Sequence, residues 1–162
     1  MSDFVDIDDA AKQVGALVRD LKVDVIFAVL PNGVPIAAEI ASWLDVEVRP
    51  IQFNRETGEV VLDAVGLENE SIIWVVDDGV ESGKAATAVG QLLKTKGFSR
   101  VELVVPICAR DAQAQLQFFY QAIHTVAQPL MTRALKWHYE LVPNVSEADA
   151  NQILQQLKDR RH

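Results

Sequence analysis

Cysteine is almost absent from this chain. A single one, Cys108, stands among 162 residues, which excludes an internal disulfide framework and any cysteine-rich zinc site. Positive charge is also scarce: 15 Lys and Arg face 23 Asp and Glu, leaving a net charge of −8 and a pI near 4.8. A surface of that sign repels a phosphate backbone, which argues against general nucleic-acid binding. No apolar run approaches the roughly 20 residues that cross a bilayer. Residues 1–9 are acidic, unlike a signal peptide. Low-complexity segments, internal repeats and interdomain linkers are missing too. What remains is 49% hydrophobic and 23% charged, ordinary values for a globular chain. The expectation is one cytoplasmic domain over residues 1–162, large enough for a sheet covered on both faces.

The order of apolar runs and turns specifies how that sheet is wound. Asp8 or Asp9 is expected to cap a helix reaching about Leu21, with Ala11, Val14, Leu17, Val18 and Leu21 as its apolar stripe. Residues 25–30, VIFAVL, read as a buried strand, followed by the turn PNGVP and an alanine-rich helix to about Leu44. Residues 46–53 alternate as a strand does, with Pro50 marking an edge or bulge. Arg55, Glu56, Thr57 and Gly58 then form a turn, and residues 59–62 return. After the central stretch at residues 71–93, Gly97 stops a helix. Residues 101–108 form a strand, 111–119 a short helix and 122–127 a further strand. His124 within it reads as a structural histidine. An irregular segment at 130–143 carries Trp137, His138 and Tyr139. Ser146 and Asp149 open a last helix whose inner side is Ile153, Leu154 and Leu157, and the final DRRH reads as a frayed tail. Strands alternating with helices give an α/β fold, a doubly wound and mostly parallel sheet.

The central stretch carries the chemistry. Residues 72–76 are an apolar, β-branched run, too short for a buried helix, and Asp77 and Asp78 stand where that strand ends. A small-residue loop follows through Gly79, Val80, Glu81, Ser82 and Gly83, and an amphipathic helix runs from about Lys84 to Lys96. Strand, glycine-bearing turn and helix N-terminus make an anion site, because free amides and the helix dipole point at the loop. Two carboxylates beside it repel phosphate but suit hydroxyls or a metal on the same ligand. A sugar phosphate meets both demands. The turn Pro31, Asn32, Gly33 and Val34 repeats the strand–turn–helix arrangement and offers a second anion site.

This pattern resembles the ribose-phosphate signature of the type I phosphoribosyltransferases, over roughly residues 25–109. The resemblance implies that fold, with a small C-terminal hood over the sugar site formed in part by residues 130–143. It assigns Asp77 and Asp78 to the ribose hydroxyls of phosphoribosyl pyrophosphate. The residues Gly79, Val80, Glu81, Ser82, Gly83, Lys84 and Ala85 fall to the 5-phosphate loop, and Pro31, Asn32, Gly33 and Val34 to a pyrophosphate loop. Where the family usually has Thr-Thr-Gly-x-Thr or Asp-Thr-Gly-Lys-Thr, this chain has Glu81, Ser82, Gly83, Lys84 and Ala85. Glu81 and Lys84 look closest to the oxopurine-salvage subgroup, which makes Glu81 the expected base beside Asp77 and Asp78 in the catalytic set. Mg²⁺ is the implied cofactor, met indirectly by Asp77 and Asp78. The implied partners are phosphoribosyl pyrophosphate or a nucleoside monophosphate, and a second copy of the chain as a homodimer; neither nucleic acid nor a membrane is expected.

The acid pair can be a solvated turn after a buried strand. A P-loop fails, since it needs four residues between its glycines and a Ser or Thr after the lysine, whereas Gly79 to Gly83 has three and Ala85 follows Lys84. Family members place a long closing loop before the acidic strand, but only residues 63–70 are available here, and no long lid fits. Arg49 and Arg55 read as solvated surface arginines rather than pyrophosphate ligands. The short lid and Ala85 motivate the alternative function: a non-catalytic protein that binds the nucleotide or phosphoribosyl pyrophosphate and regulates.

Overall fold

The computed structural model describes residues 2–161. Its elements follow in the order α1 (Ile7–Val18), β1 (Val25–Val29), α2 (Gly33–Trp43), β2 (Glu47–Phe53), β3 (Val60–Val61), β4 (Ile73–Val76), α3 (Lys84–Thr95), β5 (Val101–Ile107), α4 (Arg110–Leu116), β6 (Ala122–Ala127) and α5 (Glu147–Arg160), with a 3₁₀ turn at Leu135–Trp137. Six strands form one sheet in the order β3-β2-β1-β4-β5-β6. All neighbours are parallel except β2 and β3, where Gln52 and Phe53 oppose Val61 and Val60.

Burial on both faces explains why the central strands read as continuous apolar runs. In β1, Val25, Phe27 and Val29 join Ile73 and Val75 of β4 under α3, with Val89 and Leu93 from that helix. The alternate residues Ile26, Ala28, Trp74 and Val76 face α1, α2 and α5, which contribute Val14, Ile36, Ile40 and Ala150. That alternation is the two-residue period of a strand packed between two helical layers.

Several boundaries differ from the sequence expectation. Asp6, not Asp8 or Asp9, caps α1, its side chain accepting from the Asp9 amide. The helix stops at Val18, with Leu17 on its outer side and Leu21 beyond its end, 46% and 39% exposed, and the inner stripe is Ala10, Ala11, Val14, Gly15 and Val18. Capping at Asp6 brings Ile7, which packs against two of the buried clusters, into the first turn of the helix. α4 ends at Leu116 rather than near Phe119. The tail is not frayed at 159–161: Asp159 and Arg160 are helical, and Arg161 Nη1 lies 2.7 Å from Asp45 Oδ1. His162 lies outside the described residues. No helix among the described residues is long and apolar enough to cross a membrane.

Candidate functional site

Winding reverses between β1 and β4, and the loops leaving their carboxyl ends flank that point. Parallel sheets bind ligands in the crevice that such a reversal opens. β4 ends at Val76, so Asp77 and Asp78 emerge there, one half-buried and the other 9% exposed. Residues 77–85, all nine of the expected ribose-phosphate motif, line one cavity of about 180 Å³. Its remaining wall includes Val29, Phe53, Arg55, Ala86 and Leu135.

The loop's local chemistry is that of a helix start. Gly83 takes φ +78° as N-cap of α3, a left-handed conformation that suits glycine. Ser82 Oγ accepts from the Lys84 amide at 3.3 Å, doing the capping that Gly83 cannot. Glu81 is exposed at the cavity rim, with Ser82 and Lys84 exposed beside it. Gly79 has φ +143°, and a Cβ there would come within 2.6 Å of Leu135 Cδ2. The hood therefore touches the acidic turn through Leu135.

Asp77 Oδ1 accepts from the Asp78 amide at 2.8 Å. Burial, and then the negative charge of Asp78, holds the Asp77 carboxyl well above its usual range, with Arg55 pulling the other way. Asp78 is gripped from two sides. Asn32 Nδ2 donates to Asp78 Oδ2 at 3.0 Å, while the Tyr139 hydroxyl donates to the Asp78 carbonyl at 2.8 Å.

The expected pyrophosphate turn sits beside this cavity without lining it: Pro31, Asn32, Gly33 and Val34 are outside its wall. The Val34 amide donates to the Pro31 carbonyl at 3.2 Å, and the Asn32 side chain also accepts from the Val145 amide at 3.2 Å. Gly33 is buried where a Cβ would lie 2.5 Å from the Val76 carbonyl oxygen and 3.2 Å from Asp77 Cα. Its glycine permits the two loops to touch.

Arg55 and Leu135 join the cavity wall without a signal in the sequence, and Arg49 is not the solvated arginine expected. Arg49 instead donates to the Asp63 and Val65 carbonyls at 2.9 Å each and pairs with Glu47 at 3.1 Å. The short β3–β4 connection is thus tied to the sheet. Within the hood, Trp137 is 64% exposed, whereas His138 and Tyr139 are buried. His124 keeps its structural role, Nε2 lying 2.7 Å from Glu102 Oε1. Only local apolar and turn patterns are visible in a sequence, and these contacts join segments far apart in it.

Among the described residues no group of three or more His, Cys, Asp or Glu converges on a possible metal position. A pair of carboxylates fits Mg²⁺ of the kind that keeps several waters and is held largely by a substrate's phosphates.

The model of the phosphoribosyl transferase domain matches residues 4–124. No curated protein matches the sequence significantly. The fold is shared with TT1426 from Thermus thermophilus, 19% identical, with a TM-score of 0.77 over 97% of this chain and 99% of that one. An adenine phosphoribosyltransferase from Giardia lamblia, solved with 9-deazaadenine, is 15% identical with a TM-score of 0.62 over 75% of this chain and 78% of its own. A hypoxanthine phosphoribosyltransferase from Staphylococcus aureus, 14% identical, reaches 0.54 over 88% and 89%. With a family model covering three quarters of its length and a sheet wound as those structures are, this chain belongs to the phosphoribosyl transferase domain family.

Proposed function

We propose that the chain binds phosphoribosyl pyrophosphate in the acid-pair cavity and transfers its phosphoribosyl group to a nitrogen nucleophile, with purines as the first acceptors to test. One observation carries this reading: residues 77–85 line a single cavity, placing two carboxylates beside a helix N-terminus at the winding reversal. In this reading Asp77 and Asp78 accept from the ribose hydroxyls, and the loop amides and Ser82 take the 5-phosphate. The amides of Asn32 and Gly33 are left for pyrophosphate, since the Asn32 side chain is engaged with Asp78. A nitrogen–C1 bond forms as the C1–oxygen bond breaks, pyrophosphate leaves with the electron pair, and the nitrogen's proton passes to Glu81. Carboxylates near C1 stabilise the positive charge that develops there. Asp77 and Asp78 are the groups that would face Mg²⁺, which supplies charge neutralisation on the pyrophosphate. The adenine and hypoxanthine enzymes among the structural neighbours favour purines.

Calorimetric titration with phosphoribosyl pyrophosphate and Mg²⁺ tests the site. The double variant Asp77→Asn, Asp78→Asn should abolish binding with the fold intact, and unchanged affinity would refute the assignment. Glu81→Ala should cut turnover far more than affinity. A tighter complex with unaltered turnover would make Glu81 only an unfavourable neighbour of the phosphate.

A second reading, a binding or regulatory protein without turnover, draws on the Arg49 tether. With the β3–β4 connection held to the sheet, that segment is not free to close over the cavity and exclude water from C1. Binding without pyrophosphate release against any purine or pyrimidine, at saturating Mg²⁺, would select it.

A further inference from the structure

We infer that the C-terminal segment at residues 139–145 orients Asp78, with Tyr139 and Asn32 as positioning residues for the candidate ribose site. This rests on the function proposed above for its consequence, but not for its geometry.

Two tethers run independently from that segment to one residue. The Tyr139 hydroxyl donates to the main-chain carbonyl of Asp78 at 2.8 Å. The Val145 amide donates to Asn32 Oδ1 at 3.2 Å, and Asn32 Nδ2 donates to Asp78 Oδ2 at 3.0 Å. One holds the backbone of Asp78 and the other its carboxylate, so main chain and side chain are both fixed. A carboxylate that must meet a hydroxyl needs this restraint, because a misplacement of about 1 Å costs heavily in rate. Tyr139 is itself immobilised: it is 2% exposed, its ring 5.5 Å from that of Phe4. Phe4 N donates to the His138 carbonyl at 2.9 Å, and its carbonyl accepts from Glu140 N at 2.9 Å. His138 Nδ1 lies 2.6 Å from Asp3 Oδ2. The N-terminal residues therefore pin the segment that pins the acid. Core packing alone needs a phenyl ring here; the buried hydroxyl needs a polar partner, and the one it has is in the candidate site.

Tyr139→Phe removes the hydroxyl and keeps the ring. In the unliganded protein the side-chain carboxyl ¹³C resonance of Asp78 should move in Tyr139→Phe and in Asn32→Ala. It should stay in place in Glu140→Gln, a change at an exposed neighbour. Affinity for phosphoribosyl pyrophosphate with Mg²⁺ should fall about three- to tenfold in Tyr139→Phe, the loss expected for one neutral hydrogen bond. Affinity for inorganic phosphate, which needs only the loop, should hold. An unmoved Asp78 resonance in both variants overturns the inference, as does a parallel loss of phosphate and phosphoribosyl pyrophosphate affinity, which marks Tyr139 as a general packing residue. If the resonance moves while the parent binds no phosphoribosyl pyrophosphate, the positioning stands and the proposed function falls.

Discussion

Burial and the charge of Asp78 hold the Asp77 carboxyl above its ordinary range, so ionising it costs stability that a ligand's hydroxyl donors can return. A carboxyl raised on folding contributes stability below its unfolded pKa of about 3.9 and loses it as pH rises through the folded value. Asp77→Asn removes that loss, and the amide oxygen can still accept from the Asp78 amide. Its melting temperature should exceed the parent's at neutral pH, and the difference should shrink as pH falls towards 4. Thermal melts across that range check the sign; a lower melting temperature at pH 7 would mean the carboxylate is held by contacts that outweigh burial. Cys108 obeys the same physics with less at stake, since burial pushes its thiol up to about 12. It should resist alkylation at pH 8 in the folded protein and react once denaturant exposes it. At this scale the acid pair was legible because two aspartates ending an apolar run have few structural reasons to be there. Arg55, Leu135 and Tyr139 were not, because each reaches the cavity or the acid pair from a distant loop or hood segment whose conformation no short-range pattern specifies.

Elements place these residues through close approaches that only small side chains allow. The start of α2 lies against the end of β4 at Gly33, where a Cβ would come 2.5 Å from the Val76 carbonyl. That neighbour is backbone, so Gly33→Ala must push the two loops apart. A cost of about 1–3 kcal/mol follows from such overpacking, and the displaced Asp77 should weaken ligand binding with it. Urea unfolding beside calorimetry measures both; a variant as stable as its parent would mean the loops part freely. The central strands β1, β4 and β5 were readable because both faces are apolar, β2 because it alternates, and α3 because its loop and stripe agree. The ends of α1 were not: four aspartates within residues 3–9 compete as caps, and packing against the sheet chooses Asp6. The two-residue β3 is likewise set by pairing with Gln52 and Phe53, a tertiary contact.

At the scale of the whole molecule, a mostly parallel sheet followed from the alternation of elements, whereas the strand order, with its reversal between β1 and β4, came only with the structure. The same scale sets how an anionic ligand approaches. A net charge of −8 repels a polyphosphate at long range, and the cavity wall itself carries Asp77, Asp78 and Glu81 against Arg55 and Lys84. Long-range repulsion is felt across a Debye length of about 30 Å at 0.01 M salt and about 8 Å at 0.15 M. Association of phosphoribosyl pyrophosphate at fixed Mg²⁺ should therefore speed up as KCl rises over that interval, the reverse of steering by a basic surface. Arg55→Gln removes one of the two cations on the wall and should slow association at every salt concentration. Stopped-flow measurements of both proteins separate the contributions. A rate that falls with added salt in the parent, and loses that dependence in Arg55→Gln, would show that the arginine at the rim outweighs the charge of the whole molecule.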